Sequence, residues 1–185
     1  MDCGLDSYRR FLNGDNNALE EIVYMYKDGL ILYLHSIVND LHLAEELTEE
    51  TFVKLVVKRP RFSHQSAFKT WLYAIGRNMS IDHMRRSKKA ELPLEDYLQL
   101  CDEEENLEQG YIRQENKIVL HRSLKQLKQE YQQVLWLAYF EGFSYKQIAR
   151  ILHKTTHNIE TIAYRARKAL KTRLTMEGFD YEKLS

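Results

Sequence analysis

The segment that most constrains the fold is SYKQIARILHKTTHNIETIAYRARKAL, residues 144–170, which predicts two helices and the turn between them. Ser144 and Gln147, three residues apart, form a capping box, in which each residue satisfies a free backbone N–H of the other. The short helix that they start ends at a tight HKT turn, and Thr155 or Thr156 can cap the next helix. A short helix, a tight turn and a longer helix together predict a helix-turn-helix.

The second helix of this motif has one apolar face and one polar face. Its apolar residues fall at i, i+3, i+4, i+7 and i+11, which predicts one buried stripe: Ile159, Ile162, Ala163, Ala166 and Leu170. The opposite face carries polar and basic side chains: His157, Glu160, Thr161, Tyr164, Arg165, Lys168 and Lys171. A helix-turn-helix places such a face in the major groove of DNA, with its later cations on phosphates. A plain helical hairpin with a solvated basic face is the alternative.

The rest of the chain also has the periodicity of helices, and no segment shows strict alternation of apolar and polar residues. Only 7 Gly and 2 Pro occur in 185 residues, which favours helix. We predict an all-α protein. Its helices run from a cap at Asp15 or Asn16 to a break at Asn39 and Asp40, over about 42–59 before Pro60, over about 68–88, and within about 112–176.

The zero net charge hides a strong segregation of charge along the chain. Residues 54–89 and 146–173 are basic, whereas residues 91–115 contain nine acids and one base. Two basic regions around an acidic one indicate polyanion contacts at two places. We therefore predict two small helical domains, 1–90 and 112–176, joined by a flexible acidic linker at 91–111 and followed by a tail at 177–185.

Several classes of protein are not indicated by the sequence. No apolar run is long enough for a membrane span, and the N-terminus lacks the pattern of a signal peptide. Cys3 and Cys101 match neither a disulfide framework nor a zinc site, so we expect a reduced, cytoplasmic chain with no metal and no cofactor. The seven histidines show no paired metal-ligand spacing, and no phosphate loop or nucleophile elbow occurs, so an enzyme is not expected.

The segment FKTWLYAIGRNMSIDHMRRSKK, residues 68–89, joins an aromatic, apolar helix to a basic cluster. Its predicted buried stripe is Phe68, Leu72, Ile75 and Met79, and its predicted opposite face is Lys69, Tyr73, Arg77 and Ser80. Trp71 flanks the stripe and is expected in the core. Aromatic rings beside cations also suit single-stranded DNA, because bases stack on rings while cations follow the backbone.

Three motifs together resemble the extracytoplasmic-function group of the sigma-70 family of bacterial sigma factors. AEELTEETF, residues 44–52, resembles the helix that docks on the clamp helices of RNA polymerase. Residues 68–89 resemble the segment that recognises and melts the promoter −10 element. The helix-turn-helix, with YRARKAL at 164–170, resembles the domain that recognises the −35 element. The resemblance covers nearly the whole chain.

The resemblance implies specific DNA contacts. A loop that captures a flipped base and the helix after it would contact the −10 element, through Arg61, Phe62, Ser63, His64, Gln65, Ser66, Lys69, Tyr73, Arg77, Asn78, Arg85, Arg86 and Lys88. The start of the helix-turn-helix's second helix would contact the −35 element, through Thr155, Thr156, His157, Asn158, Glu160, Thr161, Tyr164, Arg165 and Lys168.

The resemblance also implies protein partners. Core RNA polymerase would be bound at or near Glu45, Glu46, Glu49, Glu50 and Phe52, and an anti-sigma factor, which no motif identifies, would mask these surfaces. Two departures from the family stand out. Glu49 replaces a common Gln, and the run Ile159-Glu160-Thr161-Ile162 lacks two usual cations. A DNA-binding regulator that acts without polymerase remains the main alternative; such a protein usually dimerises on a palindrome.

Overall fold

The first domain consists of four helices: α1 (Cys3–Leu12), α2 (Asn17–Val38), α3 (Leu41–Lys58) and α4 (Phe68–Ala90). The structure, a computed structural model, describes residues 3–62, 66–90 and 119–177, and in α4 it describes side chains as far as residue 87. The predicted linker and the tail beyond residue 177 lie outside the described residues.

Polar and positive-φ residues set the ends of α2 and α3. Asn39 takes a left-handed φ of 55° and ends α2, and the Asp40 side chain accepts a 3.0 Å hydrogen bond from the backbone N–H of Leu43 at the start of α3. Arg59 is also left-handed, with φ 41°, and ends α3 just before Pro60. The predicted break at Asn39 and Asp40 and the predicted stop before Pro60 are confirmed.

Helix α1 is absent from the elements predicted above, although its buried residues follow a helical period. Gly4, Ser7, Tyr8 and Phe11 fall at i, i+3, i+4 and i+7 and face the core. The Tyr8 hydroxyl also donates a 2.7 Å hydrogen bond to the carbonyl of Pro60. The short helix is therefore held by tertiary packing, as its ten residues would be marginal alone.

The second domain carries the helix-turn-helix. It begins, as far as it is described, with helical residues 119–125 (α5) and continues with α6 (Gln129–Leu135), a π-helical turn (Trp136–Phe140), α7 (Tyr145–Leu152) and α8 (Thr156–Met176). Helix α8 packs on α6 and α7. The described residues contain helices and no strand, so the all-α prediction is confirmed.

The π-helical turn interrupts the helix before the motif. The backbone N–H of Glu141 bonds to the carbonyl of Trp136, five residues earlier, at 3.2 Å. Gly142 then takes a φ of 69°, which a side chain rarely allows, and Ser144 starts α7. The sequence predicts helical structure within about 112–176 and gives no sign of the π-helical turn.

The two domains share one hydrophobic core. Tyr33, Leu34 and Ile37 of the first domain belong to the same buried cluster as Leu137 and Phe143 of the second. Helix α2 packs on α6, and α4 packs on α7. The two predicted helical domains therefore pack against each other within the described residues. No helix in the described ranges is long and apolar enough to cross a membrane.

Candidate nucleic-acid interface

The capping box that the sequence predicts is present and sets the start of α7. The Ser144 backbone N–H donates to Gln147 Oε1 at 2.9 Å, and the Gln147 backbone N–H donates to Ser144 Oγ at 3.4 Å. His153 ends α7 in a left-handed conformation with φ 54°, and Thr155 caps α8 by accepting from the Asn158 N–H at 3.2 Å. The helix-turn-helix is therefore confirmed, with Thr155 as the cap of its second helix.

The two faces of α8 are divided as the periodicity predicts. The apolar stripe faces the core: Ile159, Ile162, Ala163 and Ala166 are buried and Leu170 is half-buried. On the other face Thr161 is half-buried. The remaining residues of that face are exposed: Thr155, Thr156, His157, Asn158, Glu160, Tyr164, Arg165 and Lys168. All nine residues implied for the −35 element thus lie at the cap or on the accessible side of α8, between Thr155 and Lys168.

Charge on this exposed face is mixed near its start and basic further on. Glu160 lies 3.9 Å from the Nδ1 of His157, so the carboxylate and the imidazole are close neighbours on this face. Tyr164 is 63% exposed, and Arg165 and Lys168 beyond it are exposed. This order suits base contacts at the helix start and phosphate contacts after it.

Helix α4 is buried on more sides than the sequence predicts. Its predicted stripe faces the core, since Phe68, Leu72 and Ile75 are buried. Tyr73 and Ser80, expected on an opposite face, are however 1% and 0% exposed. That expectation is wrong because α4 contacts α2 and α3 of its own domain and also α7 of the second domain.

The loop before α4 is described only in part. Arg61 is exposed and Ser66 is half-buried, whereas Ser63, His64 and Gln65 lie outside the described residues. Three aromatic side chains pack together at its edge, and all have ring centroids within 6.2 Å of one another: Phe62, Phe68 and Trp71. Trp71 therefore contributes to the aromatic core, as expected.

The basic end of α4 is exposed. Arg85 and Arg86 both reach solvent, and Arg85 lies 3.7 Å from the Asp82 carboxylate in an exposed pair that contributes little to stability. The side chain of Lys88 lies outside the described residues. Two cations of the predicted cluster are thus accessible to a polyanion.

Helix α3 presents an acidic surface. Glu45, Glu46, Glu49 and Glu50 are exposed, but Phe52 is only 7% exposed and packs in the first domain's core. Phe52 therefore supports the helix from within and does not present its ring to a partner. Three exposed valines that no sequence motif indicated continue the acidic surface towards the end of the helix: Val53, Val56 and Val57.

A residue that the sequence analysis did not single out, Glu141, joins the two domains. Its side chain is 10% exposed and lies 2.9 Å from Lys69 Nζ, and it accepts a 2.7 Å hydrogen bond from the Tyr73 hydroxyl. Burial and this carboxylate raise the pKa of the Tyr73 hydroxyl, which therefore remains a donor. Asn78 also meets the second domain, with its Oδ1 3.2 Å from His153 Nε2. No local sequence pattern indicates contacts across this separation.

Comparisons with known proteins match both domains. Residues 22–90 match the model of Sigma-70 region 2, and residues 117–170 match that of Sigma-70 region 4. The ECF RNA polymerase sigma factor SigM of Bacillus subtilis is 33% identical over 155 residues, which cover 83% of this chain and 93% of the relative. The ECF RNA polymerase sigma factor SigW of the same organism is 28% identical over 170 residues, covering 87% and 91% of the two chains.

Solved structures show the same fold. The sigma factor RpoE of Bartonella quintana, in a co-crystal structure with the anti-sigma factor NepR, is 22% identical and has a TM-score of 0.63 over 84% of this chain and 96% of that chain. CnrH, in complex with the cytosolic domain of CnrY, is 20% identical with a TM-score of 0.68 over 95% and 99%. The chain therefore belongs to the extracytoplasmic-function group of the sigma-70 family, the sigma factors that bind core RNA polymerase and direct promoter recognition and transcription initiation.

Proposed function

We propose that the exposed face at the start of α8 recognises the promoter −35 element in the major groove. The observation that carries this assignment is the capped helix start, with Thr156, His157 and Asn158 all exposed beside a buried apolar stripe. Arg165 and Lys168 follow about two and three turns later and would meet phosphates. Glu160 can accept a hydrogen bond from a cytosine amino group, which gives it a role in the choice of base.

The −10 element is assigned to α4 and the loop before it. Lys69, Arg77 and Asn78 would provide donors from α4, and the exposed Arg85 and Arg86 would hold duplex phosphates beyond them. The Nε of Arg77 is buried and has no hydrogen-bond partner within the described ranges, so it is an unused donor near this surface. Capture of an extruded base by the loop would offset an unstacking cost of a few kcal/mol.

The acidic surface of α3 is assigned to core RNA polymerase. Glu45, Glu46, Glu49 and Glu50 would pair with cations on the polymerase, and the neighbouring exposed valines would add apolar contact. This role requires a cytoplasmic location, where polymerase and chromosome are found. By analogy with the Bartonella sigma factor solved with its anti-sigma factor, we also propose an anti-sigma partner for this chain.

Co-elution with bacterial core RNA polymerase on size exclusion tests the polymerase assignment. The wild-type chain should co-elute, and Glu49→Arg should not, because it places a cation in the centre of the acidic surface. Glu177→Arg makes the same change at an exposed site at the end of α8 and should co-elute like wild type.

Two outcomes would contradict the assignment. Equal loss of co-elution in both variants would show an effect of total charge instead of a docking surface. A wild-type chain that stays free at micromolar concentration, with no inhibitor co-purified, would favour a DNA-binding regulator that acts without polymerase.

A further inference from the structure

A carboxylate of the second domain occupies part of the surface assigned to the −10 element. Lys69 Nζ lies 2.9 Å from Glu141 Oε2 and also donates to the Glu141 carbonyl at 2.9 Å. The Tyr73 hydroxyl donates to the same Oε2 at 2.7 Å. We call these three residues the Glu141 cluster. The Glu141 side chain is 10% exposed, so most of its hydrogen bonding is provided by protein groups.

The surroundings of the Glu141 cluster are shaped to receive this carboxylate. A Cβ on Gly29 would lie 2.8 Å from Glu141 Oε1 and 2.6 Å from the Tyr73 hydroxyl, so only glycine leaves the carboxylate its space. The Phe143 ring lies beneath, 4.9 Å from Lys69 Nζ and 5.1 Å between ring centroids from Tyr73. A buried, paired and closely packed charge of this kind differs from an incidental surface ion pair.

The donors that Glu141 occupies are those that a DNA phosphate would use. A lysine ammonium and a tyrosine hydroxyl are common partners of phosphate oxygens. Glu141 takes the single donor of the Tyr73 hydroxyl and two of the three N–H donors of the Lys69 ammonium. Helix α7 also contacts Asn78 of the same DNA surface, whose Oδ1 lies 3.2 Å from His153 Nε2. Use of Tyr73 by a promoter strand therefore requires that the second domain move away.

We propose that Glu141 is an intramolecular competitor of promoter DNA, which masks the −10 surface until a partner separates the two domains. The inference rests on the proposed role of α4. In the free chain the apparent affinity for single-stranded DNA equals the intrinsic affinity multiplied by the open fraction. If core polymerase binds the two domains in a separated arrangement, its binding removes this penalty.

Three variants of the full chain test the proposal. Glu141→Gln removes the charge with little change of shape. Gly29→Ala acts from the first domain, because the added methyl group displaces the Glu141 cluster without changing any charge, and alanine is favourable in the middle of α2. Glu177→Gln, which removes one exposed carboxylate away from the domain contact, is the matched control.

Two measurements are made on each variant. Small-angle X-ray scattering reports the separation of the domains, and fluorescence anisotropy reports binding to a labelled, random-sequence single strand of about 16 nucleotides. We expect Glu141→Gln and Gly29→Ala to increase the radius of gyration and to bind the strand about tenfold more tightly than wild type. Glu177→Gln should match wild type in both. A further Lys69→Gln change in the Glu141→Gln chain should abolish the gain.

The remaining outcomes would overturn the proposal. If neither Glu141→Gln nor Gly29→Ala expands the chain, Glu141 does not hold the domains together. If the chain expands without a gain in affinity, or if Lys69→Gln leaves the gain intact, the contact masks no DNA site. A gain of equal size in Glu177→Gln would be a plain charge effect. Co-elution of wild type with core polymerase is independent of these results, so failure of the masking and failure of the sigma role are distinguishable.

Discussion

Replacement of Phe143 by alanine should destabilise both domains, although Phe143 belongs only to the second. Its side chain is 5% exposed, its ring meets Tyr73 of the first domain at 5.1 Å between centroids, and the Lys69 ammonium lies 4.9 Å from it. Removal of a buried phenylalanine costs about 3–5 kcal/mol. The lost aromatic pair accounts for about 1 kcal/mol of this cost and the cation–π contact for about 0.5–1 kcal/mol. We expect a loss of about 4 kcal/mol, a large part of a typical domain's stability.

The chain provides one reporter for each domain, since its two tryptophans are Trp71 and Trp136. Urea unfolding is followed by fluorescence in a Trp136→Phe background, which reports the first domain, and in a Trp71→Phe background, which reports the second. Because the two domains share one core, both signals should show the same midpoint, and Phe143→Ala should move both together. Tyr164→Ala removes a ring that is 63% exposed and should change the free energy of unfolding by less than about 0.5 kcal/mol.

One result would refute this reasoning. If Phe143→Ala moves only the Trp136 signal, the domains unfold independently and the shared core does not couple them. The same conclusion would follow if the Trp71 and Trp136 signals already had different urea midpoints in reporter chains that keep Phe143.

Three further predictions concern caps, pH and the recognition helix. Ser144→Ala removes the capping box of α7 and should lower the free energy of unfolding by about 1 kcal/mol in urea titrations, whereas a loss of less than a few tenths would contradict the cap's contribution. Burial and the nearby Lys125 lower the pKa of His35, which lines a cavity between the domains, so the unfolded chain binds more protons below its ordinary pKa of 6.5. Stability should therefore fall as pH drops below that value, by at most about 1.4 kcal/mol per pH unit, and His35→Gln should remove this dependence. Glu160→Lys adds a cation to the exposed face of α8 and should steepen the salt dependence of duplex DNA binding by about one phosphate contact; an unchanged slope would place Glu160 away from the backbone.

The helix-turn-helix could be predicted in detail because its signals are local. Ser144 and Gln147 meet within one turn, and the stripe that starts at Ile159 depends only on the period of the helix. The same kind of signal was present in α1, where Tyr8 and Phe11 face the core. The contact between the domains could not be predicted, since Lys69 and Glu141 are separated by a long stretch of chain and each is an ordinary exposed residue by local criteria.

Tyr73 illustrates why a face predicted from periodicity can be wrong. A single amphipathic stripe assumes that a helix meets one neighbour, but α4 is packed between its own domain and the second one. The apolar pattern places Leu72 correctly and leaves Tyr73 undecided, because a tyrosine suits either a surface or a core in which its hydroxyl has a partner. Phe52, assigned to the polymerase surface by resemblance, is buried for the simpler reason that its own helical position faces inward.

The π-helical turn at Trp136–Phe140 has a consequence for the direction of α8, the helix proposed to bind DNA. Because its hydrogen bond spans five residues, the turn holds one residue more than an α-helix of regular geometry would need. Deletion of one residue within the turn would restore α-helical bonding and leave the residues after it close to their present direction, because the wider turn already absorbs the extra residue. Deletion of one residue from the regular α-helix before the turn, in α6, would instead rotate everything after it by about 100°. The orientation of the exposed face of α8 is therefore insensitive to a one-residue deletion in this turn and sensitive to one in α6, although neither change touches a residue of that face.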